Sequence, residues 1–285
     1  MSQHIVSQHI ARKRFGQHFL VDSAIIAAIV ASLGAQREDF VLEIGPGLGA
    51  LTDPLLQSLD HLHVVEIDRD IVARLKQRYA GARAAKLSIH QADALQFDFG
   101  TLLSQAAARG QRLHIMGNLP YNISTPLLFH LASFSAQIAA AAPSQPPGWL
   151  DMHFMLQKEV VERMVATPCS ADYGRLSVML QYRFFMEQLF DVPPEAFAPP
   201  PKVDSAVVRL IPLPASECLA NDEAAFATLV AAAFAQRRKM LRNNLKNILD
   251  AEGFATLGIA PSARAEELSV HDYVRIANFL QPKVS

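Results

Sequence analysis

The sequence is poor in cysteine, in net charge and in long apolar segments. Its two cysteines, Cys169 and Cys218, are far apart and outside any metal-ligand spacing, which indicates reduced thiols rather than a disulfide framework. The longest apolar stretch, Ala24 to Ala35, contains Ser32 and Gly34 and is too short to span a bilayer. The sequence therefore excludes a small disulfide-stabilised protein and predicts no membrane partner.

The amino terminus also lacks the pattern of a secretory signal. No charged region is followed by an apolar run and a small-residue cleavage site, so we predict a cytoplasmic protein. Residues 1–11 repeat the string SQHI without an apolar period and are predicted to form a mobile tail. The formal net charge of −1 gives no overall basic footprint, so any binding of a nucleic acid would depend on local basic clusters.

Short apolar runs alternate with amphipathic segments along the first two thirds of the chain. Hydrophobic residues make up 51% of the sequence, enough for a sizeable core. The alternation predicts an α/β, Rossmann-like and mostly parallel sheet with helices on both faces. The predicted strands are Val41–Ile44, Leu62–Ile67, Lys86–His90, Leu113–Met116 and Met152–Leu156, followed by Val178–Phe190 and Val203–Leu210 as antiparallel neighbours at one edge.

The pattern becomes purely helical after Pro212 and Pro214. We therefore predict an α/β domain over residues 12–212 and a small all-helical domain over residues 213–285. The predicted helices of the second domain are Asp222–Phe234, Lys239–Leu249 and His271–Leu280.

A glycine-rich turn, Gly45-Pro46-Gly47-Leu48-Gly49, follows the first predicted strand. Gly45 and Gly47 let the backbone approach a ligand closely. Glu66 ends the next strand, where a carboxylate binds the ribose hydroxyls of a nucleotide-like cofactor. Asp93, after the third strand, is a candidate to accept a hydrogen bond from the exocyclic amine of the cofactor's adenine ring. The alternative is that Asp93 is a helix N-cap. The turn lacks the third glycine of the dinucleotide fingerprint, which favours S-adenosylmethionine over a nicotinamide dinucleotide.

The string Asn118-Leu119-Pro120-Tyr121 ends the fourth predicted strand, where open α/β sheets bind their ligands. The Asn118 side-chain oxygen and the Leu119 carbonyl are suited to accept the two N–H bonds of an adenine N6 amine and to orient its lone pair. Pro120 stiffens the turn and Tyr121 is predicted to stack on the base. Phe197 is a candidate for the second face of a base sandwich, with a core phenylalanine as the alternative.

Two basic clusters are candidate phosphate contacts. One is Arg12-Lys13-Arg14, and the other comprises Arg237, Arg238, Lys239, Arg242 and Lys246 on a predicted helix. A solvated charged helix face is the alternative for both clusters. The histidines, His18 included, have no metal-type pairing, so no metal site is predicted.

These residues together resemble the bacterial ribosomal RNA adenine dimethyltransferase family, in its small-subunit branch. The matching strings run in order from Arg12 to Leu280: RFGQHFL from Arg14, GPGLG, Glu66, Asp93, NLPYNIST from Asn118, FAPPPKVDS from Phe197 and QRRKMLRNNL from Gln236. One departure is His18, which stands where many members have Asn.

The resemblance implies a seven-stranded methyltransferase fold and dimethylation of the N6 amines of two adjacent adenines near the 3′ end of 16S ribosomal RNA, within the small ribosomal subunit. It assigns cofactor contacts to His18, Leu20, Gly45, Glu66, Asp93 and Asn118, and places the target adenine against Tyr121 and Phe197. We expect a monomer. The alternatives are a large-subunit methyltransferase that confers antibiotic resistance and a mainly non-catalytic assembly factor.

Overall fold

The computed structural model describes residues 18–120, 122–141 and 149–281, and the chain divides into two compact units. The first unit contains the residues up to Val161 together with Glu187–Pro212. The second contains Glu162–Met186 together with the chain from Leu213 onward. The predicted tail, residues 1–11, lies outside the described residues.

The strands form a seven-stranded sheet and a separate two-stranded pair. The large sheet has the order β4-β3-β2-β5-β6-β9-β7, in which β2 to β6 are parallel to one another and β9 is antiparallel to β6. This confirms the predicted α/β fold. The strands are β1 (Phe19–Leu20), β2 (Phe40–Ile44), β3 (Leu62–Glu66), β4 (Leu87–Gln91), β5 (Leu113–Asn118), β6 (Leu150–Gln157), β7 (Phe184–Val192), β8 (Phe197–Ala198) and β9 (Ser205–Pro212).

Helices connect the parallel strands of the first unit. All five residues of β2 are buried, as expected for a central parallel strand that is covered on both faces. Aspartates cap several helices: Asp22 and Asp98, for example, each accept hydrogen bonds from two backbone amides of the first turn. The helices are α1 (Ser23–Leu33), α2 (Thr52–Ser58), α3 (Arg69–Arg78), α4 (Phe99–Ala108) and α5 (Ser124–Ala141), followed by α6 (Lys158–Val165), whose residues from Glu162 onward belong to the second unit.

The second unit is helical and has a core of its own. Phe226 and Tyr273 are fully buried there, together with Tyr173 from the segment that precedes β7. The sequence-based division placed residues 162–186 with the α/β domain, whereas in the structure they pack into this helical core, which draws Tyr173, Val178 and Tyr182 from them. The helices are α7 (Arg175–Gln181), α8 (Glu223–Ala233), α9 (Leu241–Asn244), α10 (Ala251–Leu257) and α11 (Val270–Leu280).

Two element predictions were wrong. Residues 178–181, predicted as the start of a strand, belong instead to α7, because apolar side chains such as Val178 pack in the helical core. The predicted helix Lys239–Leu249 is helical only over α9. The side-chain amide of Asn244 donates hydrogen bonds to the carbonyls of Ala233 (2.6 Å) and Gln236 (3.2 Å), which stabilises a turn instead of a longer helix.

Candidate active site

A cavity of about 680 Å³ lies within the first unit, where β2, β3 and β5 end. Its wall carries four carboxylates and the Arg78 guanidinium. The predicted cofactor and base residues that the structure describes all meet at this one cavity: His18, Leu20, Gly45, Gly47, Glu66, Asp93, Asn118, Leu119, Pro120 and Phe197. Tyr121 lies outside the described residues.

The glycine turn forms one side of the cavity with bare backbone. Gly45 and Gly47 have φ values of 67° and 54°, in the left-handed region that favours glycine. The Gly45 amide donates to the Val65 carbonyl at 2.9 Å, which ties the turn to β3. A Cβ added at Gly47 would stand 3.5 Å from the Phe19 ring. Gly45 and Gly47 therefore present bare backbone to a ligand in the cavity, beside Pro46 and Leu48, which also line it.

Glu66 is held at the end of β3 with its side chain fixed. Its Oε1 accepts a hydrogen bond from the Asp68 amide at 2.9 Å, and the residue is 8% exposed. Burial raises the pKa of the Glu66 carboxyl. Asp93, on the same wall, accepts from the Leu95 amide at 2.9 Å in a turn that does not begin a helix. Two partly desolvated carboxylates thus line the cavity at neighbouring strand ends.

Asn118 ends β5 with its amide group oriented. Its Nδ2 donates to the backbone carbonyl of His18 at 3.3 Å, and in the part of the chain that the structure describes no donor bonds to its side-chain oxygen, which is an acceptor. The next residue, Leu119, is buried and its amide donates to the Met155 carbonyl at 3.2 Å. The backbone that leads into Pro120 is therefore fixed by the sheet.

The strand β1, at the start of the described chain, lines the cavity and pairs with β8. β1 is antiparallel to β8, with Leu20 opposite Phe197. The His18 Nδ1 atom lies 2.9 Å from the Pro199 carbonyl oxygen. This pairing brings His18, Leu20 and Phe197 to the same cavity. Phe197 is 3% exposed and also belongs to the hydrophobic core of the first unit.

The sequence reasoning missed Glu43, an acidic residue within the apolar strand β2. It is 2% exposed, it lines the cavity, and the Thr52 hydroxyl donates to its Oε2 at 2.6 Å. Burial raises the pKa of Glu43 to about 7, and the nearby carboxylates Glu66 and Asp53 add to the effect. The signal available in the sequence was a glutamate within an otherwise apolar predicted strand. A charged residue is rarely buried without a partner unless it has a function.

The basic residues near residue 240 occupy an exposed turn of the second unit. Arg237, Arg238 and Lys239 precede α9, and Arg242 lies within it. We call these four exposed residues the basic turn. Arg237 also donates to the Ala171 carbonyl. Lys246 is exposed in a following turn, and Arg12, Lys13 and Arg14 lie outside the described residues.

Residues 18–120, 122–141 and 149–281 contain neither a membrane-spanning helix nor a metal-ligand group. No helix in this part of the chain is long and apolar enough to cross a membrane. In the same residues, no group of three or more His, Cys, Asp or Glu side chains is arranged to hold a metal ion.

The cavity chemistry fits S-adenosylmethionine. The cofactor carries a sulfonium, an amine and a ribose but no pyrophosphate, and the wall offers carboxylates for these groups. The guanidinium of Arg78, which also lines the cavity, is paired with Asp53 and is therefore not available for a pyrophosphate. The sheet order and this cavity define an S-adenosylmethionine-dependent methyltransferase of the Rossmann-like class.

The particular family follows from sequence comparison. The profile of the family "Ribosomal RNA adenine dimethylase" matches residues 8–282, and the chain belongs to this family. It is 59% identical over 278 residues to a Chromobacterium violaceum protein named ribosomal RNA small subunit methyltransferase A, covering 98% of each chain. A Dechloromonas aromatica protein of the same name is 56% identical over 272 residues, covering 95% of this chain and 98% of the relative.

Solved structures agree on the fold. A dimethyladenosine transferase from Plasmodium falciparum superposes with a TM-score of 0.68 at 26% identity, covering 91% of this chain and 96% of the other. The 23S rRNA methyltransferase ErmE superposes with a TM-score of 0.62 at 23% identity, covering 92% and 99%. The second likeness concerns the fold alone.

Proposed function

We propose that this protein dimethylates the N6 amines of two adjacent adenines near the 3′ end of 16S ribosomal RNA, within the small ribosomal subunit, with S-adenosylmethionine as the methyl donor. The observation that carries the proposal is the Asn118 amide. Its Nδ2 donates to the His18 carbonyl, and among the described residues no donor bonds to its oxygen, which lies in the same cavity as Glu66 and Asp93. The names of the relatives support the choice of the small subunit.

The cofactor is assigned to the side of the cavity formed by the glycine turn. Gly45 and Gly47 present backbone to its methionine part, Glu66 accepts from the ribose hydroxyls, and Asp93 accepts from the adenine amine. His18 and Leu20 cover this side through the β1–β8 pairing. When bound, the cofactor supplies a methyl group on a sulfonium.

The target adenine is assigned to the side formed by the end of β5. The Asn118 side-chain oxygen and the Leu119 carbonyl accept the two N–H bonds of the amine, which holds the nitrogen lone pair in line with the methyl group. The methylated amine then loses its proton to water, so no strong base is required. Pro120 keeps the turn rigid, and Tyr121 and Phe197 stack on the base. The Phe197 ring lines the cavity and is packed in the core of the first unit, which fixes its position.

The remaining assignments concern the RNA. Substrate phosphates are assigned to the basic turn, to Lys246 and to Arg12, Lys13 and Arg14. We take the first unit as the methyltransferase region, and residues 213–285, together with the residues 162–186 that share their helical core, as the RNA-binding region. The protein is proposed to act as a cytoplasmic monomer on the assembling small subunit.

The test is transfer of radiolabelled methyl to small subunits from a strain that lacks this modification, followed by nucleoside analysis. Label recovered as N6,N6-dimethyladenosine in 16S ribosomal RNA is the expected result. Label on naked large-subunit RNA instead would indicate a resistance methyltransferase. Subunit binding with no label on either RNA would indicate an assembly factor without this chemistry.

A further inference from the structure

Three side chains next to the glycine turn form one hydrogen-bonded group. The Tyr79 hydroxyl donates to Asp53 Oδ1 at 2.9 Å, and the Arg78 guanidinium pairs with Asp53 Oδ2. The other end of the guanidinium donates to the backbone carbonyl of Leu48 at 2.8 Å. Asp53 lies in α2, and the other two residues lie at the end of α3. The group therefore connects two helices to the turn itself.

The group also contacts the turn through Gly49. The Asp53 amide donates to the Gly49 carbonyl at 3.1 Å. Gly49 has a φ of 87°, and a Cβ added there would overlap the Tyr79 hydroxyl oxygen. The bare Gly49 backbone is thus what lets the hydroxyl reach Asp53. Burial, followed by the Asp53 carboxylate, raises the pKa of the Tyr79 hydroxyl, which keeps it protonated as a donor.

We propose that Asp53, Arg78 and Tyr79 are positioning residues that fix the backbone of the glycine turn and thereby set the affinity for the cofactor. A turn that is already ordered loses less conformational entropy when a ligand binds than a turn that must be ordered by the ligand. Tyr79 acts without touching the ligand, because it is 1% exposed and is not among the residues that line the cavity. The inference rests on the proposed placement of the cofactor against this turn.

The decisive variant is Tyr79→Phe, which removes one hydroxyl and leaves the buried ring. We expect the Kd for S-adenosylhomocysteine, measured by calorimetry, to rise about three- to tenfold, the effect of losing one hydrogen bond. The KM for S-adenosylmethionine should rise by a similar factor. The kcat at saturating cofactor should change much less, because the turn is ordered once the cofactor is bound.

Asp53→Asn is the second variant, and the double variant completes a cycle. The two substitutions interrupt the same group, so their effects on Kd should be less than additive in free energy. Arg37→Met, which removes the exposed pair with Asp60, is the matched control and should leave Kd unchanged.

Two results would overturn the inference, and a third would overturn the placement of the cofactor. A Kd within twofold of the unsubstituted protein for both Tyr79→Phe and Asp53→Asn would overturn the inference. So would a Kd that rises only together with an equal loss of kcat and a lowered melting temperature, since that pattern reports general disorder. Failure of the unsubstituted protein to bind S-adenosylhomocysteine would instead overturn the cofactor placement itself.

Discussion

The cavity and the basic turn use charge in opposite ways. In the cavity, carboxylates such as Glu43 and Glu66 are buried and each accepts a hydrogen bond at a fixed distance. In the basic turn, the cations are exposed. A buried carboxylate makes specific hydrogen bonds in a desolvated environment, so its exact position matters. Exposed cations are screened by salt, and their contribution to phosphate binding depends mainly on how many of them there are. Single substitutions should therefore have large effects in the cavity and small effects in the basic turn.

Asn118→Ala should have the largest effect. Removing the acceptor for the target amine should lower kcat by about 10²- to 10³-fold, as for the loss of one positioned transition-state contact. Methyl transfer to small subunits measures the loss, and cosedimentation with subunits should show that binding of the RNA is retained. Asn118→Asp, which keeps an acceptor oxygen but not the bond to the His18 carbonyl, should retain more activity than Asn118→Ala. Equal kcat values for Asn118→Ala and the unsubstituted protein would contradict the proposed role.

The part of the cavity formed by strand ends was predictable from sequence. The carboxyl ends of parallel strands lie at one edge of a sheet, so the glycine turn, Glu66, Asp93 and Asn118 were expected to meet. In the structure all of them line one cavity.

The pairing of β1 with β8 was not predictable in this way. It joins residues about 180 positions apart, as in the contact of His18 with Pro199, and two-residue strands leave no periodic pattern. The helix α7 was hidden for a different reason. Its Val, Met and Leu residues form an apolar run of the kind found in strands. They form a helix because they pack in the helical core of the second unit, which the local sequence does not reveal. Tertiary contacts decided both cases.

Glu66→Ala should have the next largest effect, on cofactor binding. A carboxylate that accepts from two ribose hydroxyls contributes charge-assisted hydrogen bonds, so the Kd for S-adenosylhomocysteine should rise by about 10- to 100-fold. Calorimetry measures this change. The control is Asp60→Asn, at an exposed aspartate that pairs with Arg37, and its Kd should match that of the unsubstituted protein. If both variants bind equally well, Glu66 does not contact the ribose.

Glu43→Gln should reveal a smaller, pH-dependent effect of burial. The folded-state pKa of Glu43, about 7, lies above the ordinary value of 4.5. The folded protein therefore holds a proton that the unfolded chain releases, and stability is lost as pH rises from 4.5 through 7. Glutamine has no such loss, so Glu43→Gln should be more stable than the unsubstituted protein at pH 8 by about 1–3 kcal/mol, with a smaller difference at pH 5.

Melting temperatures at the two pH values test this expectation. Glu38→Gln, at an exposed carboxylate, is the control and should show no such pH-dependent difference. A Glu43→Gln protein that is less stable at pH 8 than the unsubstituted protein would mean that the buried carboxylate is stabilised by its partners more than it is destabilised by burial.

Arg238→Ala should have the smallest effect and would sharpen the contrast with the cavity. Arg238 is the better choice than Arg237, because Arg237 also donates to the Ala171 carbonyl. Loss of one phosphate contact should weaken binding to small subunits and reduce the slope of log K against log salt by about 1, while the KM for S-adenosylmethionine stays unchanged. Adding Lys239→Ala should reduce the slope by a similar further amount, because exposed cations act independently. Arg37→Ala, at an exposed arginine of the first unit, should leave the slope unaltered. If a single substitution in the basic turn abolished methylation, the substituted cation would have a specific, positioned role, as the cavity carboxylates do, and the contrast would fail.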